Sequence, residues 1–154
     1  MSRFKKKKDG GLPAISTSSL PDIIFMLLFF FMVTTVMREN TTIVKTRLPQ
    51  ASETQKLEKK SLVSYIYIGE PRNIKTYGNE SRIQLNDQFA AVSDIPEFIF
   101  SERESRDENE RKLLTTSLKV DYITKMGVVT DVKQELRKVG AFKINYSTRR
   151  KAYK

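Results

Sequence analysis

An α+β fold is predicted for this chain of 154 residues: a single N-terminal transmembrane helix, then a small two-layer domain of order β-β-α-β-α-β with a mixed sheet and two helices. Three observations predict it. Residues 23–37 carry no charge in a sequence that is 30% charged. Beyond residue 62, short runs with strand-like alternation give way to segments with apolar residues three and four apart. A polar interval, 38–61, separates the two patterns. The organisation that follows is a basic tail over 1–14, a membrane helix over 15–37, a linker over 38–61, a folded domain over 62–147 and a second basic tail over 148–154.

The membrane helix rests on the run from 20 to 37, which covers roughly 27 Å at helical rise, close to the thickness of a hydrocarbon core. A soluble helix this apolar on every side needs burial all round, which a domain of this size does not offer. Arg3 and the lysines at 5–8 precede the run, while Arg38, Lys45, Arg47 and Lys56 follow it more sparsely, so the N-terminus is expected on the cytoplasmic side. The stretch after Thr34 and Thr35 offers no small-x-small cleavage site, which predicts an uncleaved anchor.

Residues 38–61 read as a tether with little structure of its own, since Ile43 and Val44 are the only suggestion of apolar pattern. Strands are predicted over 62–68 and 82–86. Asp94, with Glu97 three residues on, predicts a helix start ahead of Phe98, Ile99 and Phe100. The charge run 103–111 reads as a solvated loop or helix extension. A third strand is expected over 113–120. Met126, Val129, Val132, Leu136 and Val139 then form one helix face ending at Gly140, and 142–146 is the fourth strand. The alternation places both helices on one side of the sheet.

Composition narrows the chemistry. The formal charge is +10, but residues 62–154 hold 17 basic and 13 acidic side chains, so most of the excess lies in the N-terminal portion beside the membrane run. That placement points to an anionic lipid surface and away from nucleic acid. Cys and His are absent, so no disulfide, thiolate metal site or imidazole proton carrier is available, and proton chemistry falls to carboxylates. No nucleophile–base set or glycine-rich phosphate loop argues for an enzyme, and no metal or cofactor is expected.

Asp22 is the residue that calls for an explanation, because a carboxylate within a membrane helix costs about 2.5–3.5 kcal/mol at the centre. Two readings compete. In one, Pro21 and a cap from Ser18 or Ser19 make Asp22 a first-turn residue that favours the helix dipole. In the other, the helix extends back through 15–20 and Asp22 faces a protein partner away from water, taking up and releasing a proton. Ser18, Ser19, Thr34 and Thr35 are hydroxyls able to bond a partner helix or their own backbone.

The stretch ISTSSLPDIIFMLLFFFMVTTVMRENTTIVKTRLPQAS at 15–52 resembles the ExbD/TolR family, related to MotB-type stator subunits. The resemblance rests on a short polar stretch, one Asp, an apolar run and the pair Leu48 and Pro49 beyond it. LKVD at 118–121 and GAFKI at 140–144 resemble the end of the family's periplasmic domain. One departure is that Pro21 directly precedes the Asp, whereas the family's Pro lies earlier, where Ser19 stands.

The resemblance implies a homodimer in the bacterial inner membrane within a pentameric ExbB/TolQ-like ring, with Asp22 on the proton pathway and a TonB-like transducer as client. It also implies docking of the Leu48–Pro49 strip onto a partner or the sister chain. A TolR- or stator-like subunit gripping peptidoglycan, and a membrane-anchored scaffold, are the alternatives.

Overall fold

The computed structural model describes residues 10, 19–34 and 41–152. The chain divides into two units, Met1–Glu39 and Asn40–Lys154. In the first, α1 spans Ser19–Thr34. The second holds β1 (Gln50–Ala51), β2 (Val63–Gly69), α2 (Ile74–Tyr77), β3 (Arg82–Leu85), β4 (Gln88–Ala90), α3 (Ile95–Glu104), α4 (Glu108–Arg111), β5 (Thr115–Val120), α5 (Met126–Lys138), β6 (Ile144–Tyr146) and β7 (Arg149–Arg150). This is an α+β arrangement around a mixed sheet.

The main sheet has the order β4-β3-β2-β5-β6. Strands β2, β3 and β4 run antiparallel in sequence, whereas β5 is parallel to both β2 and β6. Two crossovers result, β4 to β5 through α3 and β5 to β6 through α5, and both move in the same direction across the sheet. Right-handed crossovers made in one direction deliver their helices to one face.

That face is the core. Ile66, Ile68, Ile83, Leu85 and Leu118 alternate inward from the strands and meet Ile95, Phe98 and Ile99 of α3 and Val129, Val132 and Leu136 of α5. Each such side chain contributes roughly 1.5–3 kcal/mol on full burial. Ser64 shares this face and donates to Glu102 of α3 at 2.7 Å.

Local rules explain the boundaries. α5 stops where Gly140 adopts φ +69°, with the amide of Gly140 donating to Arg137 and that of Ala141 to Leu136, the paired bonds of a Schellman motif. Met126, expected on the buried face, is 71% exposed, because it occupies the first helical position ahead of the packed turns. Asp94 precedes α3 as expected, but its carboxylate accepts from the amide of Ala91 at 2.8 Å and makes no cap bond into the helix. Pro96 occupies the first turn of α3, where a missing N–H costs nothing.

Three differences from the sequence-based expectation concern the edges of the domain. A fifth strand, β4, follows a tight turn in which Asn86 takes φ 53°, a conformation that Asn tolerates. Residues 41–51, read as part of a tether, lie against the domain, and Val44 is fully buried. The segment 148–154, read as a basic tail outside the folded domain, contributes β7, which pairs in parallel with β1. In both cases backbone groups find partners far away in sequence, which local polarity does not reveal.

Candidate functional site

In the first unit, α1 contains one charged residue, Asp22, in its first turn. Ile23 through Val33 supply an uninterrupted apolar run without glycine or proline. A carboxylate in the first turn is favourably placed against the positive end of the helix dipole. All apolar side chains from Leu20 to Val33 are more than half exposed, the least being Val33 at 52%. Asp22 is itself exposed and has no ion-pair partner among the described residues.

The hydroxyl of Thr34 donates to the carbonyls of Phe30 at 2.8 Å and Phe31 at 3.2 Å, so it serves its own helix backbone. Ser19 opens the helix, while Ser18 and Thr35 lie outside the described residues. Of the predicted span 15–37, the structure describes 16 residues as helix, and among the described residues no helix is long and apolar enough to cross a membrane.

In the second unit, the notable construction lies on the sheet face opposite α3 and α5. There the 41–51 strip is held by two buried side chains. Gln84, fully buried, accepts from the amides of Ile43 at 2.8 Å and Val44 at 3.2 Å, and donates to the carbonyls of Thr41 and Asn86. Every hydrogen-bonding position of its amide is used, which offsets the cost of placing it away from water.

Asp121, 1% exposed, accepts from the amide of Arg47 at 2.8 Å, and its second oxygen lies 3.5 Å from the Arg47 guanidinium. That guanidinium also lies 4.8 Å from the centre of the Tyr122 ring. Between these two holds, Val44 bridges to Pro71, with the amide of Lys45 donating to Glu70 at 2.7 Å and that of Arg72 to Ile43 at 2.8 Å.

Gly69 makes this close approach possible. A Cβ built on it would stand 2.1 Å from the carbonyl oxygen of Lys45, a backbone atom with no room to yield. Leu48 and Pro49 continue the strip, and the Pro49 carbonyl accepts from the amide of Arg149 at 2.8 Å. Gln84, Asp121 and Gly69 carry no local signal of this role. Asp121 belongs to the LKVD stretch, but nothing in its neighbourhood announces a partner 74 residues earlier.

Also on this face, the Lys119 ammonium lies 4.4 Å from the Tyr65 ring and 5.1 Å from the Tyr67 ring. Burial holds its pKa below the ordinary lysine value.

An apolar helix with one carboxylate, joined in sequence to a compact α+β domain, defines the chain's class as a helix-bearing α+β protein. The chain belongs to the ExbD/TolR family: residues 8–151 match the family described as biopolymer transport protein ExbD/TolR. Members are subunits of biopolymer transport assemblies, not enzymes. No curated protein and no solved structure matches the chain.

Proposed function

We propose that the chain is an ExbD-like subunit of an inner-membrane motor that uses the proton motive force to drive a TonB-type transducer. Residues 15–37 span the membrane with the N-terminus in the cytoplasm, and the α+β domain works in the periplasm. A dimer of these helices sits inside an ExbB/TolQ-like ring. Asp22 exchanges protons with that ring, and each change of its charge alters which packing of helix against ring is favoured.

The observation that carries this reading is the single carboxylate on a helix apolar on every side. Such a surface is stable only in lipid or against other apolar helices, since each large side chain left in water forgoes roughly 1.5–3 kcal/mol. In that setting a lone ionisable group is costly, and relays of protons are a recurrent use of one. The flanking residues 35–37 are also uncharged, so the apolar run reaches roughly 27 Å.

Asp22→Asn keeps the size and polarity of the side chain but removes the titratable proton. The expected result is loss of energised transport with co-purification of the ring partner unchanged, while Asp22→Glu retains part of the activity. Transport by the Asn variant at the unmodified rate would sink the proton-carrier role.

A further inference from the structure

On the helical side of the domain, where the connector from α5 to β6 meets the segment leading into β5, there is a cavity of about 420 Å³. Four cations line it, Arg103, Arg111, Lys112 and Lys143, and no acidic residue does. They arrive from three places in the chain: the last turn of α3, the end of α4 and the approach to β6. Arg103 donates to the Val139 carbonyl at 2.8 Å, which fixes its guanidinium against the end of α5. Arg111 donates through Nε to the Arg106 carbonyl at 3.1 Å. None of the four cations is in an ion pair among the described residues.

Gathering four like charges at one concave surface, beside the apolar Leu114, Ala141 and Phe142, is unfavourable. A bound anion relieves the repulsion. Phosphate suits such a set better than a carboxylate: several cations from separate segments can share the oxygens of a tetrahedral group, whereas a planar carboxylate is satisfied by one guanidinium fork. Phe142, 74% exposed at the rim, offers an apolar contact to whatever carries that phosphate.

We infer that this cavity is a phosphate-binding site, able to take either a lipid headgroup or a free phosphate. It involves neither Asp22 nor the 41–51 strip, so it stands or falls separately from the motor reading.

The purified full chain, in an uncharged detergent at constant ionic strength, is titrated with inorganic phosphate and separately with dihexanoyl phosphatidylglycerol. Saturable binding is expected, weakened roughly tenfold or more in R111Q/K112Q/K143Q. The three side chains are exposed, so circular dichroism of that variant should match the parent, and Lys143→Gln alone should give a smaller loss in the same direction. Tighter binding of the lipid, with the preference abolished by Phe142→Ser, identifies a headgroup site. Equal or tighter binding of inorganic phosphate identifies a free-phosphate site. Absence of saturation by either ligand, undiminished binding in the triple variant, or saturation by a glutamate-rich peptide alone overturns the inference.

Discussion

The two faces of the central sheet are built by opposite means. On the helical face, apolar side chains from β2, β3 and β5 meet α3 and α5, and the adhesion is non-directional burial. On the other, the 41–51 strip is held mainly by hydrogen bonds to Gln84 and Asp121 and by a close approach over Gly69. The first kind of contact tolerates small shifts and degrades gradually. The second depends on a few positioned atoms, so one changed group can release the strip while the core persists.

The largest effect should come from the apolar face. Leu136→Ala removes a fully buried side chain at the meeting of α5 and the sheet and should cost about 2–5 kcal/mol of global stability, read from urea denaturation. Gly69→Ala tests the other face, where the added methyl has no space beside the Lys45 carbonyl. About 1–3 kcal/mol is the expected cost, with trypsin cleavage after Lys45 and Arg47 accelerated while cleavage within α5 is not. If both regions become equally sensitive, the two faces are one cooperative unit and the contrast between them fails.

The smallest effect is at Lys119. Because burial lowers its pKa, the unfolded chain holds more protons than the folded one in the window just below the ordinary lysine value of about 10.4, and stability rises with pH through that window. Lys119→Met should remove that rise, seen by comparing denaturation midpoints at pH 8 and 10. The ring contacts to Tyr65 and Tyr67 favour the charged ammonium and act in the opposite sense at neutral pH, by about 0.5–2 kcal/mol, so the net change there should be slight.

Much of the helical face was legible in the sequence because its signals are local. Val129, Val132 and Leu136 repeat at helical spacing, Gly140 ends their helix with a positive φ, and the strand near 82–85 alternates. The hairpin to β4 was missed although Asn86 and Asp87 stand between two strand segments, a turn signal obscured by the short, weakly apolar strand after it.

The strip was illegible for a different reason. Its hydrogen bonds to Gln84 and Asp121 reach 40 residues or more along the chain, and both are side chains whose burial follows only from the completed sheet. Asp22 stood out for the reverse reason, since a single charge in an apolar run is conspicuous without any tertiary information.

The parallel pairing of Gln50–Ala51 with Arg149–Arg150 makes neighbours of the segment by which the chain arrives at the domain and the segment by which it leaves. Tension arriving from the N-terminal side would first meet the Gln84 and Asp121 holds on residues 41–47 and only then this pairing. The C-terminal strand thus backs up those holds, and removing residues 149–152 should make the end of the strip easier to peel away.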